Sequence, residues 1–199
     1  MSIEEFVHAN RTIRIELDTD PMNPRKDWDP VTTIYHWHRH YDFGTKIQGM
    51  DEEDFRAFLE EKGEEVLALS PLYLMDHSGQ SLSTTPFGCP WDSGQVGWVV
   101  ITQSRAAALG FVDQVEADWI RILQAEVKQY DQYLRGEVYG FQVVGLDGDE
   151  LESCWGFYDL EDCREQAKEA AEASEDPAIQ RQVEELESRA TFAGGTIHT

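Results

Sequence analysis

Lysine is scarce in this chain. Five lysines and 11 arginines stand against 39 acids in 199 residues, and the formal net charge is −23. A field of that sign repels DNA, RNA and anionic membranes at long range, so neither direct nucleic-acid binding nor membrane binding is expected. It attracts basic surfaces instead, including the nucleic-acid grooves of other proteins; the same acidity also fits simple solubility or a salt-adapted host. Cysteine is sparse too. Cys89, Cys154 and Cys163 are odd in number and lack CxxC spacing, which argues against a disulfide framework and a standard zinc finger. No apolar run approaches the ~20 residues needed to span a bilayer. The opening MSIEEFVHAN has acids where a signal peptide carries Lys or Arg, and the expected compartment is the cytoplasm. The glycines form neither GxGxxG nor a P-loop. A hydrophobic content of 41% with six tryptophans excludes a disordered chain.

What is present is periodicity. Ile13, Ile15 and Leu17 alternate with Arg14 and Glu16, the pattern of a half-buried strand. Residues 18–31 hold three prolines and four aspartates and predict a loop. A short strand is expected over Thr32–His40. Asp51 is placed to cap a helix, with Asp54 at its third position, Met50 and Phe55 as a hydrophobic staple, a stripe of Phe55, Phe58 and Leu59, and Gly63 as its stop. Val66–Leu69 and Leu72–Met75 read as two short strands, and Val96–Thr102 as a central one. Asp113 with Glu116 predicts the start of the longest helix, whose stripe is Ile120, Leu123, Val127, Tyr130 and Leu134, ending at Gly136. Glu137–Val144 and Leu151–Tyr158 predict a hairpin. Asp159 and Asp176-Pro177 each open a further helix, the second with a stripe of Ile179, Val183, Leu186 and Ala190.

Strands and helices do not alternate as βαβ units. The expected fold class is therefore α+β, mostly antiparallel, with one long central helix and acidic helices packed on the sheet or at its ends. The expected organisation is an α+β domain over 1–159, an acidic helical appendage over 160–190 and a flexible tail over 191–199.

The densest special chemistry lies in Pro71–Trp98, which gathers Gly79, Gly88, Gly94, Gly97, Pro86, Pro90, Cys89, His77, Trp91 and Trp98 into 28 residues. Leu72, Leu74, Phe87, Trp91 and Trp98 make it an ordered part of the core by expectation, at ~1.5–3 kcal/mol for each side chain buried. Cys89 with His77 and Asp76 or Asp92 offers the residue types of a thiol nucleophile, its base and an orienting carboxylate, although a buried structural cysteine is the commoner fate. His36, His38 and His40, if on one strand, point to one face as metal ligands could; a polar strand face is the other reading. Aromatic-Gly-aromatic steps at Tyr139-Gly140-Phe141 and Trp155-Gly156-Phe157 let one ring lie over a bare backbone. No catalytic motif is complete, no cofactor or metal is expected, and a non-enzymatic interaction protein is the favoured reading.

Acid is concentrated in two places. Asp51–Glu65 carries eight acids against two bases, and residues 149–189 carry 14 against four. Glu52, Glu53, Glu60 and Glu61 form one candidate partner-binding set, and Glu165, Glu169, Glu172, Glu184 and Glu187 another. They would imitate phosphates toward a basic groove, or else form solvated helix faces.

The segments MDHSGQSLSTTPFGCPWDSGQVG, EVKQYDQYLRGEVYGFQVV and ESCWGFYD resemble a recurring family of phage and mobile-element proteins that has no assigned activity. The resemblance covers roughly 71–159 and carries over no catalytic residue. It implies a small accessory product made inside an infected bacterium. In that context the expected function is inhibition of a host nucleic-acid-binding defence enzyme, of restriction or CRISPR type, by nucleic-acid mimicry. The alternative is a small-molecule-binding protein or hydrolase using the Asp76–Asp92 loop.

Overall fold

A computed structural model describes residues 2–111 and 116–193 of the chain. In chain order the elements are β1 (Ser2–His8), β2 (Arg11–Leu17), β3 (Thr33–His36), β4 (Thr45–Lys46), α1 (Glu52–Glu61), β5 (Val66–Asp76), β6 (Gln80–Ser83), β7 (Ser93–Thr102), α2 (Gln103–Ala108), α3 (Glu116–Arg135), β8 (Tyr139–Val144), β9 (Glu150–Phe157), α4 (Leu160–Ala173) and α5 (Pro177–Ala193). The fold is α+β. Every strand pair is antiparallel except β3 with β4. The chain forms two compact units, named by their order in sequence: an outer one made of 1–21 with 137–199 and an inner one, inserted between those segments, of 22–136.

The inner unit is built on a five-stranded sheet of order β4-β3-β7-β5-β6. Its centre is β7, whose apolar run Val96–Ile101 has the composition of a strand buried on both faces. Val99 and Ile101 enter a cluster with Ile34, Leu72, Leu74 and Leu82 of the sheet and Trp119, Leu123, Val127 and Tyr130 of α3. Trp98 and Val100 point the other way, against Phe55 and Leu59 of α1. Side-chain alternation thus makes one strand the core of two layers. Helix α1 begins as its sequence dictates: the Asp51 carboxylate accepts from the Asp54 N–H at 2.9 Å, and Gly63 ends it at φ +74°. Asp131 of α3 accepts from Ser81 Oγ at 2.8 Å and from the Leu82 N–H at 2.7 Å, tying the helix to β6.

Two expectations change here, and a third is not tested. Val66–Asp76 is one strand of 11 residues rather than two. Pro71 is tolerated because β6 pairs with β5 only from Tyr73 onward, so β5 is still an edge at the proline. The strand expected over Thr32–His40 stops at His36. Asp113 lies outside the described residues.

The outer unit is a four-stranded sheet of order β1-β2-β8-β9. Strand β1, not foreseen in the sequence, joins β2 through Ala9 (φ 47°) and Asn10 (φ 61°), the two positive-φ positions of a type I′ hairpin turn. Helix α4, expected as part of an appendage, belongs to this unit's core: Cys163, Ala167 and Ala171 pack on Ile13, Ile15, Phe141 and Val143. Small side chains at that stripe let helix and sheet approach closely. Asp159 caps α4 by accepting from the Glu161 and Asp162 N–H groups. Asp176 does the same for α5 through the Ala178 N–H at 2.8 Å. Of the stripe expected on α5, Val183 is 47% and Leu186 63% exposed, while Ile179 is half-buried. Of the tail expected over 191–199, residues up to Ala193 belong to α5, and 194–199 lie outside the described residues.

Candidate functional site

Strand β5 runs out at Asp76, and the chain reverses into β6 through Ser78 (φ 59°) and Gly79 (φ 152°). The Asp76 N–H donates to the Asp92 carbonyl at 2.9 Å and closes the base of the loop. Within it, the Cys89 thiol donates to Asp92 Oδ2 at 3.6 Å, and His77 Nδ1 lies 3.2 Å from the same oxygen. Asp92 therefore stands between thiol and imidazole. A thiol nucleophile needs the imidazole against the sulfur and the carboxylate behind it; the order here is the reverse. Asp76 is not part of this group, and its Oδ2 accepts from Tyr41 at 3.1 Å. The arrangement is a hydrogen-bonded clip across the loop.

The loop is only partly core. Leu72, Leu74 and Trp98 are buried, but Trp91 is 93% exposed, contrary to the expectation that every large apolar residue of this segment is inside. Phe87 instead lines a cleft of 650 Å³ with Met75, His77, Gly79, Leu134 and Arg135.

The three histidines do not share a face. His36, at the end of β3, is 1% exposed. Its ring lies edge-on to Phe43 with centroids 5.7 Å apart, its Nε2 is 3.5 Å from Asp42 Oδ1, and neither ring nitrogen has a hydrogen-bond partner. His38 lies in the loop beyond, stacked on Tyr41 at 4.9 Å, with its Nδ1 accepting from the Tyr41 N–H at 3.1 Å. Burial, with the neighbouring His40 next in weight, holds the His38 imidazole below its usual pKa. His40 is exposed. The period-two argument fails because the chain leaves the strand after His36. Among the described residues no group of three or more His, Cys, Asp or Glu side chains is arranged to hold a metal ion.

The nine acids singled out in the sequence are all exposed. Glu52, Glu53, Glu60 and Glu61 lie on the outer side of α1, away from Phe55 and Leu59. Glu165, Glu169 and Glu172 lie on α4, and Glu184 and Glu187 on α5. Glu52 pairs with Arg56 at 2.9 Å and Glu172 with His8 at 2.8 Å. Among the described residues, Glu53, Glu60, Glu61, Glu165 and Glu184 have no basic partner.

A second concavity, of 380 Å³, lies in the outer unit between β9 and α4, lined by Phe141, Glu152, Cys154, Phe157, Gln166, Glu169, Ala170, Ala173 and Ser174. Of these, the sequence singled out Glu169 as a partner contact and Phe141 and Phe157 within the aromatic-glycine pattern. The signal was present: Glu152 and Cys154 are two apart on a strand, and Gln166, Glu169, Ala170 and Ala173 recur at helical spacing.

Comparison with known proteins found no matching family model, no matching curated protein and no matching solved structure. Among the described residues no helix is long and apolar enough to cross a membrane.

Proposed function

We propose that the protein is an acidic accessory product of a phage or mobile element that binds a host nucleic-acid-binding defence enzyme and inhibits it by occupying its basic groove. The observation that supports this is the exposure of all nine carboxylates named above, seven of them on α1 and α4, helices whose opposite faces are buried. On α4, Glu165, Glu169 and Glu172 rise ~6 and ~4.5 Å apart along the axis, sparser than the ~3.4 Å per phosphate of one DNA strand but of the same order. Few neutralising bases stand among them. Electrostatic attraction of this kind governs association rate and partner choice.

The test is binding and inhibition with two charge-reversed variants. One reverses Glu52, Glu53, Glu60 and Glu61; the other reverses Glu165, Glu169, Glu172, Glu184 and Glu187. At least one should bind its target more weakly with an unchanged melting temperature, because exposed substitutions usually change stability by only about 0.5 kcal/mol. Association should slow steeply between 0.1 M and 1 M salt, over which the Debye length falls from ~10 to ~3 Å, and nucleic acid should compete. If both variants inhibit like the parent and nucleic acid does not compete, the proposal is wrong.

The 650 Å³ cleft beside the Asp76–Asp92 loop favours a second reading, a binding site for a small polar ligand, since drug-sized sites occupy ~300–1,000 Å³. A library screen by ligand-detected NMR, with Arg135→Gln and His77→Gln as controls, tests it; hits indifferent to both substitutions would reject the cleft.

A further inference from the structure

The groove between β9 and α4 combines features that select one kind of occupant. Phe141 and Phe157 lie with ring centroids 5.7 Å apart and line it together with Ala170 and Ala173, which suits an alkyl stem. Glu152 and Glu169 line it as well, and no basic side chain does. Gln166 Nε2 donates to Glu169 Oε2 at 3.2 Å and so restricts that carboxylate. The groove ends at the C-terminal turn of α4, at Ala173 and Ser174. That end of a helix carries partial negative charge, which here is met within the chain, since Arg11 donates to the Ser174 carbonyl. The aromatic lining and the two carboxylates favour a cation on an apolar stem, and a planar guanidinium on a three-carbon stem fits both better than an ammonium.

The surroundings say how such a group arrives. Strand β9 is the last strand of its sheet, and among the described residues no strand pairs with its outer side. An extended segment of a partner can lie along that edge and hydrogen-bond to it, as in strand addition, while one of its side chains enters the groove.

From this we propose that the β9–α4 groove is the docking site for an arginine side chain presented by an extended basic segment of a protein partner. The inference deepens the reading above by assigning one arginine contact to one groove, and it rests on that reading for the partner's basic character. The test needs no host enzyme.

The full-length protein, labelled with nitrogen-15, is titrated with a short extended peptide carrying one central arginine. The same peptide with citrulline, the neutral isostere, and free butylguanidinium are titrated in parallel. The arginine peptide should shift the amides of Glu152, Cys154, Phe157, Ala170 and Ala173. Citrulline should bind about tenfold more weakly or worse, because the charge-assisted bonds are lost. Butylguanidinium should perturb the same amides only at much higher concentration. Glu152→Gln with Glu169→Gln, at two exposed positions, should weaken the arginine peptide about tenfold and leave distant amides in place. Equal binding of the citrulline peptide, butylguanidinium as tight as the peptide, or shifts elsewhere on the molecule would each overturn the assignment. Those failures would leave the charge-reversal result standing, whereas failure of both charge-reversed variants with these shifts intact would reject groove mimicry alone.

Discussion

Trp155 lies directly across Gly140. A Cβ placed on Gly140 would stand 2.1 Å from Cε3 of the indole, and the two residues face each other across the β8–β9 pair. The sequence pattern of glycine between aromatics anticipated a ring over bare backbone, and this is that contact.

Gly140→Ala should destabilise the protein by about 1–3 kcal/mol, the usual cost of forcing atoms into filled space. The same change in a Trp155→Ala background should cost much less, because the neighbour that clashes is gone. Urea unfolding of the four members of the cycle measures the coupling. Additive effects would mean that the ring moves aside freely.

The two tryptophans of the glycine-rich segment should respond oppositely. Trp98 is 5% exposed and stacks on Phe55 with centroids 5.8 Å apart. Trp98→Ala should cost about 3–5 kcal/mol. Trp91→Ala, at a position 93% exposed, should stay within about 0.5 kcal/mol of the parent. Thermal unfolding distinguishes them, and quenching of Trp91 fluorescence by iodide should be the more efficient.

The β1–β2 turn holds an alanine at φ 47°, a region that costs a residue bearing a Cβ about 1–2 kcal/mol. Ala9→Gly should therefore raise stability by roughly 0.5 kcal/mol, the relieved strain less the added freedom of the unfolded chain. A melting temperature that falls would show that the turn is not strained at this position.

Asp176 accepts from the Leu146 N–H at 3.0 Å through Oδ2 and from the Ala178 N–H at 2.8 Å through Oδ1. These bonds, the one from Leu146 foremost, hold its carboxyl below the usual carboxylate range despite its burial. A depressed folded-state pKa contributes stability that is fully present above the unfolded value, ~3.9, and is lost as pH falls through the folded one. Asp176→Asn should be less stable than the parent near neutrality. The difference should shrink as pH drops below ~4; denaturant melts from pH 7 to pH 2 would show it, and a constant difference would contradict the linkage.

Elements carried by local signals were legible from the chain. The caps Asp51 and Asp159, the alternation of Ile13 and Ile15, the apolar run of β7 and the stripe Leu123–Val127–Tyr130 each depend on a few neighbouring residues. What was not legible depends on partners far along the chain. Strand β1 has Glu4 and Glu5 side by side and shows little alternation, and it is fixed by pairing with β2. Whether Pro71 interrupts β5 depends on where β6 begins. Trp91 illustrates that apolar residues tend inward without being obliged to. The candidate sites followed the same division. Exposure of the acidic helix faces could be read from helical spacing, but the order thiol–carboxylate–imidazole in the Asp76–Asp92 loop could not.

The outer unit is discontinuous in sequence, and that sets an order of events during synthesis. Strand β2 pairs with β8 from Thr12↔Val144 to Leu17↔Tyr139, so a ribosome-bound chain carries its first hairpin without its sheet until more than a hundred further residues have emerged. The inner unit, contiguous over 22–136, has all its strands available before then. An isolated two-stranded hairpin is marginal in water, so β1 and β2 wait as an acid-bearing ribbon without their partner β8. Glu4, Glu5 and Glu16 set acidic side chains along that ribbon, the kind of residue that disfavours pairing with other strands.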